Sequence, residues 1–309
     1  MGRDTPLITV LMATYNGMPF LPDQVTSILD QGGVRVELFV SDDQSADGTW
    51  EWLQGKARDD TRIRLLPRVH SSGGYAANFY RLVRDVDFSR RDLIAFSDQD
   101  DIWSSGKLAH QAALIRTTSA DGVSSNVTAT SQDGRRFVIR KSYPRRRFDY
   151  LFESAGPGST FIFARRVAVA VQRLLAEAGS VAGEVQSHDW LVYAVCRAQG
   201  WRWLIDEFPW VEYRQHDFNA LGANHGIRSA LRRLDDVRRG WHRAEALKVA
   251  CVAAAVAPQA ARADLERLEE LLADRRFRSR WRLVRHVMQM RRRPRDQWLL
   301  GGMIASGLW

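Results

Sequence analysis

Between Leu7 and Asp101 the chain repeats one pattern: a short apolar run, a polar loop, then a stretch with helical spacing. Leu7–Ala13 (LITVLMA) is continuously apolar and rich in β-formers, which suits a strand buried on both faces. The loop Thr14-Tyr15-Asn16-Gly17 follows. Leu21, Val25, Ile28 and Leu29 then mark a helix within Pro19–Gln31, closed by Gly32-Gly33. Val36–Val40 predicts a second strand, Asp42–Thr49 a loop, and a helix starts from Trp50. Ile63–Leu66 predicts a third strand, Ser71–Gly74 a loop and Tyr75–Val86 a helix. Leu93–Phe96 predicts a fourth strand, which ends at Ser97-Asp98-Gln99-Asp100-Asp101. Alternation with short loops implies an α/β fold: a parallel sheet covered by helices on both faces. Ligands of such sheets bind beyond the carboxyl ends of the strands. Three polar loops fall on that edge: Thr14–Asn16, Asp42–Asp47 and Asp98–Asp101.

The regularity fades after Ala109. Val123–Thr130 and Arg136–Lys141 read as a polar hairpin across Asp133-Gly134. Thr160–Ala164 is a strand candidate preceded by Gly156-Pro157-Gly158-Ser159. His188-Asp189-Trp190 opens a helix over Leu191–Ala198, and Trp201–Ile205 reads as a last strand. Beyond Gly226 the chain reads helical, broken at Pro258 and Pro294. The expected division is residues 1–226 as one domain, with halves near 1–110 and 111–226, and 227–309 as a basic helical extension.

Charge divides the same way. Of the net +9, residues 228–309 hold 19 Lys and Arg against 9 Asp and Glu, a balance of +10 that leaves −1 for the rest. From Arg275 to Arg295 there are ten arginines and no acid, interleaved with Phe277, Trp281 and Leu283. Arginines mixed with Trp and Leu suit a helix lying on an anionic membrane surface. They equally suit a helical cap whose aromatics pack inward. Nucleic-acid binding is disfavoured, since no recognition motif accompanies the charge. The longest apolar run, Val249–Ala257, is far short of the about 18 residues that span a bilayer. No signal-peptide pattern is read at the start, and the two cysteines, Cys196 and Cys251, form no CxxC pair. The expected location is the cytoplasm.

Three carboxylates, Asp98, Asp100 and Asp101, crowd one strand end. Two unit charges about 4 Å apart repel by about 4 kcal/mol at an effective dielectric near 20. The cluster therefore needs solvent, protons or a cation, and oxygen ligands suit Mg²⁺ or Mn²⁺. An acidic turn before a helix is the plainer reading, weakened by the position on the ligand edge. Asp47 and Thr49 suit helix capping, but capping leaves the adjacent pair Asp42-Asp43 unexplained; one of them can hold a base or ribose edge.

Together these loops resemble the family 2 glycosyltransferases of GT-A fold, and among them the bacterial rhamnosyltransferase-like group. The resemblance rests on ATYNG (Ala13–Gly17), Gln24 with SILDQ (Ser27–Gln31), SDDQSADGT (Ser41–Thr49), GGYAANF (Gly73–Phe79), FSDQDDIW (Phe96–Trp103), GST (Gly158–Thr160), HDW (His188–Trp190) and YRQH (Tyr213–His216). These occur in the family's order and cover about residues 6–225.

The resemblance implies a Rossmann-like, mostly parallel sheet and a metal-dependent, inverting transfer of a sugar to a hydroxyl. It places Thr14, Tyr15, Asn16 and Asp43 on the nucleotide, with Gly74, Asn78 and Asp98 near the nucleotide sugar. Asp98 and Asp100 match the metal motif, with His216 as a further ligand. Asp189 matches the catalytic base. Trp103, Trp190, Ser159, Thr160 and His188 are expected to shape the sugar and acceptor pocket. The implied donor is dTDP-β-L-rhamnose, and the implied acceptor is a saccharide or lipid-linked saccharide of the bacterial surface, at the inner membrane face. A UDP-hexose or UDP-hexosamine donor is the alternative. A homodimer through the C-terminal helices is a further expected partner. The rival of another class is a non-catalytic membrane-surface or nucleic-acid binding protein, which the presence of Asp43, Asp100 and Asp189 together opposes. GPGST replaces the family's more usual Gly-Cys-Thr, and Glu184 is a second acid near His188.

Overall fold

The computed structural model describes residues 5–130, 134–214 and 240–309. Its elements run β1 (Leu7–Thr14), α1 (Leu21–Leu29), β2 (Arg35–Asp42), α2 (Thr49–Asp59), β3 (Ile63–Leu65), α3 (Tyr75–Asp85) and β4 (Leu93–Ser97). There follow β5 (Ile102–Trp103), α4 (Lys107–Thr118), β6 (Gly122–Thr130), β7 (Arg136–Ile139), β8 (Ile162–Ala164), α5 (Arg165–Ala176), α6 (His188–Ala198) and β9 (Trp203–Arg214). The last helices are α7 (Trp241–Val256), α8 (Gln259–Ala273), α9 (Phe277–Val284) and α10 (Pro294–Ser306).

The chain divides into two compact units. The first holds Met1–Ser142, Gly156–Ala178 and Arg202–Gly222, and carries the whole sheet, ordered β3-β2-β1-β4-β8-β6-β9-β5 with β7 on β6. Strands β1 to β4 are parallel to one another, as their alternation with helices predicts. Beyond β4 the sheet turns mixed: β8 runs antiparallel to β4 and β6, and β5 antiparallel to β9. Among the described residues only short 3₁₀ turns, and no α-helix, separate β6, β7 and β8, so the helical crossover that accompanies parallel pairing is absent there.

Ile8, Val10, Leu11 and Met12 of β1 are fully buried, which explains why that run is apolar without alternation. They join Leu38, Val40, Ile94, Ala95 and Phe96 in the core. Each such large aliphatic or aromatic side chain contributes about 1.5–3 kcal/mol through burial. Register sets the site: Thr14 lies opposite Asp42 and Met12 opposite Ser97, so three loops leave one sheet edge together.

Other expectations need amendment. The hairpin β6–β7 is present, but β6 lies inside the sheet, with Ser124 and Ser125 fully buried. Strand β9 runs on to Arg214, well past Ile205, because it pairs in parallel with β6 across a bulge near Ser125/Val127. At Gly122 a Cβ would stand 2.2 Å from the Trp203 ring, so only glycine lets that indole cross the strand.

The second unit holds Tyr143–Ala155, Gly179–Trp201 and Ala223–Trp309. Helix α6 thus groups with the C-terminal helices rather than with the sheet. It starts at His188, two residues before the buried Trp190 that opens its apolar face. Pro258 stands at the N-cap of α8 and Pro294 in the first turn of α10, positions where a missing N–H costs nothing. Buried Asp149 anchors this unit. It accepts from Tyr193 Oη at 2.9 Å and Arg197 at 2.9 Å, with Arg292 3.4 Å away.

Candidate active site

The loop after β1 is held on both sides by backbone donors and side-chain acceptors. Asn16 N–H donates to Ser45 Oγ at 2.8 Å, and Asn16 Oδ1 accepts from Ala46 N–H at 2.8 Å. Asn16 adopts φ 48°, a left-handed conformation that asparagine tolerates better than most residues. Gly17 N–H donates to Thr49 Oγ1 and Met18 N–H to Asp47 Oδ2. Tyr15 leaves its ring 59 % exposed at the rim.

The structure separates the two adjacent carboxylates after β2. Asp42 is buried and accepts from Thr14 Oγ1, from Ser45 and from Arg68 Nε at 3.0 Å. It is a tie between loops. Asp43, one residue past the strand, is half-buried and has other partners. Its carboxylate accepts from Ser72 N–H at 2.5 Å, which fastens it to the loop before α3. Asn78 is buried under the same edge, donating to the carbonyls of Thr14 and Ser41 at 3.3 and 3.0 Å. Gly74 caps α3 at φ 144°.

Gln99 was quoted in the sequence motif without a role, and its place is decisive. Its side chain pairs with the backbone of Tyr15, accepting from the N–H at 2.8 Å and donating to the carbonyl at 2.9 Å. A Cβ on Gly17 would come within 2.4 Å of Gln99 Oε1. The motif glycine therefore makes room for this clamp, which joins the loop after β1 to the carboxylate loop.

Asp98 and Asp100 are half-buried at the end of β4. Asp101 turns inward and is fully buried. Burial, then the adjacent Asp100 charge, pushes its carboxyl up to about 8. Below it lies Lys107, also fully buried, its Nζ 3.6 Å from the centroid of the Trp103 ring. Burial holds this ammonium well below its ordinary range, opposed by the charge of Asp101. Trp103 is buried, its backbone N–H donating to Ser27 Oγ at 3.1 Å. Arg214, at the end of β9, donates to the Asp100 carbonyl at 2.6 Å and the Phe20 carbonyl at 3.1 Å, and pairs with Asp23. Lys107 and Arg214 had no role assigned from sequence. A cation at the end of the last strand was the one available signal.

Among the described residues, no three His, Cys, Asp or Glu side chains form a metal-binding group. His216 lies outside the described residues. The donor set nonetheless fits a hard cation. Asp101 is withdrawn into the interior, which leaves two oxygen-bearing side chains, Asp98 and Asp100, at the strand edge. One or two carboxylates completed by water and phosphate oxygens is the usual Mg²⁺ arrangement.

Ser159 and Thr160 are buried in a short 3₁₀ turn, with Thr160 Oγ1 donating to the Pro157 carbonyl. The Ser159 hydroxyl favours the ionised form of Asp101, against the larger effect of burial. In the second unit, Asp189 is half-buried in the first turn of α6. Its Oδ1 accepts from Trp190 N–H at 2.6 Å and from Ser187 Oγ. The N-terminal end of a helix favours negative charge. His188 is buried, and burial lowers its pKa to about 3, so it is neutral at ordinary pH. Trp190 is buried, its indole N–H donating to the Tyr150 carbonyl at 2.8 Å. Glu184 is exposed, and its carbonyl accepts from Lys248.

Comparison with known proteins adds to this geometry. The model of glycosyl transferase family 2 matches residues 9–172. The chain is 37% identical over 240 residues to the dTDP-rhamnosyl transferase RfbG of Shigella flexneri, spanning 77% of this chain and 83% of that protein. It is 32% identical over 129 residues to the putative teichuronic acid biosynthesis glycosyltransferase TuaG of Bacillus subtilis, 42% of this chain and 50% of that one. The fold resembles S. aureus TarS 1-349 in complex with UDP, at TM-score 0.57 and 15% identity, over 95% of this chain and 78% of that one. It also resembles the mannosyltransferase PcManGT of Pyrobaculum calidifontis in complex with GDP-Man and Mn²⁺, at TM-score 0.52 and 17% identity, over 99% of this chain and 86% of that one. With these matches and three loops leaving one edge of a mixed sheet, the chain belongs to glycosyl transferase family 2 and is a glycosyltransferase of GT-A fold.

Proposed function

We propose that this enzyme transfers L-rhamnose from dTDP-β-L-rhamnose to a hydroxyl of a saccharide or lipid-linked saccharide in the synthesis of bacterial surface polysaccharide or glycolipid. The observation that carries the donor is the 37% identity to a dTDP-rhamnosyl transferase across 83% of that protein.

The chemistry is a single displacement. The acceptor oxygen forms a bond to the anomeric carbon, and the bond to the β-phosphate oxygen breaks with its electron pair. Inversion turns the β-linked donor into an α-L-rhamnoside. Asp189 takes the acceptor proton, a role that suits an acid at a helix N-terminus. Asp98 and Asp100, with His216, would hold Mg²⁺ or Mn²⁺. Such an ion offsets the charge that accumulates on the leaving diphosphate. The loop Thr14–Asn16 and Asp43 hold the nucleoside, with Gly74 and Asn78 shaping the backbone around it. Asn78 acts through the carbonyls it holds. Gln99 and Arg214 position the loop that carries Asp100. Trp103, Ser159 and Thr160 support the sugar side from beneath, and His188 and Trp190 set the first turn of α6.

A uridine donor is the second reading, favoured by one chemical point. Thymine and uracil present the same N3–H and carbonyl edge, so a carboxylate such as Asp43 accepts from either. A thermal-shift panel of dTDP-rhamnose, UDP-glucose and UDP-N-acetylglucosamine with Mn²⁺ tests the donor. The largest shift is expected with dTDP-rhamnose; a larger one with a uridine donor overturns the assignment.

A further inference from the structure

Helices α9 and α10 turn the same kind of face outward. On α9 the exposed residues are Phe277, Arg278, Trp281 and Arg282, continued by Arg285, while Ser279 and Leu283 face in. On α10 they include Arg295, Trp298 and Leu299, while Gln297, Leu300 and Ile304 face in. Each helix therefore satisfies its inward stripe and still presents large apolar side chains to solvent. Trp298 is 72 % exposed and Phe277 62 %. Met288 and Leu308 are about half exposed on the same segment. Tryptophan is highly buried on average, so two on outward faces of neighbouring helices are not explained by packing. Phe277 and Trp281 stack edge to face, 6.0 Å apart, one turn along α9. No acid occurs between Arg275 and Arg295.

We propose that the outward faces of α9 and α10 dock this protein on an anionic phospholipid surface. The apolar side chains enter the boundary between headgroups and acyl chains, and the arginines pair with lipid phosphates. Charge decides among occupants. A second copy of the chain would set arginine against arginine with no acid on the face to answer it. A nucleic acid would answer the arginines and stack on the aromatics, but Met288, Leu299 and Leu308 have no ring to stack and gain only from an apolar phase. The faces are too short and too charged to span: no described helix is long and apolar enough to cross a membrane.

The test is sedimentation of the full chain with phosphatidylglycerol–phosphatidylcholine vesicles and with pure phosphatidylcholine vesicles, at low and high salt. Binding is expected to the anionic vesicles alone and to weaken with salt. The triple variant Arg278→Gln, Arg282→Gln, Arg285→Gln is expected to lose about a hundredfold in vesicle affinity. The pair Trp281→Ser, Trp298→Ser is expected to lose about tenfold or more and the blue shift of tryptophan fluorescence. Both variants should keep the thermal shift produced by dTDP with Mn²⁺, which reports the sheet unit separately. Failure of wild type to bind anionic vesicles overturns the proposal, as does equal binding to neutral ones. Unchanged affinity in either variant, or preferential retention on RNA or DNA, also overturns it. So does a concentration-dependent dimer lost in the variants while vesicles go unbound. Because vesicle binding needs no donor, this result stands apart from the rhamnose assignment.

Discussion

Two segments of this chain are dense in charge, and the structure treats them in opposite ways. In the loop after β4, Asp101 and Lys107 are drawn into the interior, and Arg214 is spent on the carbonyls of Phe20 and Asp100. In α9 and the start of α10, Arg278, Arg282, Arg285 and Arg295 face solvent. The same contrast occurs within the tail, where Arg292 is buried against Asp149 and Glu153. Density of charge therefore says little about its use. What separates the regions is how burial is met: Arg292 by the acids beside it, Asp101 and Lys107 by shifts toward their neutral forms, and the outward arginines by solvent.

The largest effect should come from the charge proposed to have a chemical task. Asp189→Asn is expected to lower kcat by about 10²–10⁴, with the thermal shift by dTDP and Mn²⁺ unchanged. Wild-type turnover in that variant would remove Asp189 from its role. Next is the interior pair. Lys107→Met removes the group that counters the upward push on the Asp101 carboxyl and should cost about 1–3 kcal/mol in urea unfolding. A loss no larger than that of a surface lysine would mean that Asp101 needs no partner. Gly17→Ala sets a methyl against Gln99 and should cost about 1–3 kcal/mol, with a raised KM for the donor. An unchanged KM would show that the clamp does not order a loop that meets the donor.

A smaller effect is expected from acid. The folded pKa of His188 is lowered by burial to about 3, below its unfolded value near 6.5. Between those values the unfolded chain binds the extra proton. Stability is thus fully present above about pH 6.5 and falls as pH drops toward 3, by at most about 1.4 kcal/mol per pH unit. His188→Phe should flatten that part of the pH profile of the urea midpoint, and an unaltered slope would place the dependence elsewhere. Smallest of all, Arg282→Gln should change stability by no more than about 0.5 kcal/mol. A larger loss would show that the outward arginines belong to the fold, and the contrast would fail.

Much of this was legible before any coordinates. Strand–helix alternation up to Leu93 is a matter of local spacing, so β1 to β4, their parallel order and the edge holding the loops follow from it. Less was legible past β4, where β5 and β8 run antiparallel and β9 exceeds its expected length. Pairing there depends on strands distant in sequence, such as β6 and β9, and no local period records that. The site divides along the same line. The loops of Asp43, Asp98 and Asp100 could be named from the chain, but Gln99, Lys107 and Arg214 could not be given work.

The sequence by itself determined β1 to β4 with their helices, the shared edge and the family, because hydrophobic period and ordered motifs are local properties. Only the tertiary structure decided which member of each charged group is used. Asp42 is buried while Asp43 is half-buried against Ser72, Asp101 leaves the strand edge to Asp98 and Asp100, and Arg292 is buried while Arg282 is not. The reason is that a charge takes its place from the partners that offset its desolvation, and those partners lie far along the chain. Gln99 meets Tyr15 across 84 residues, and Arg292 meets Asp149 across 143.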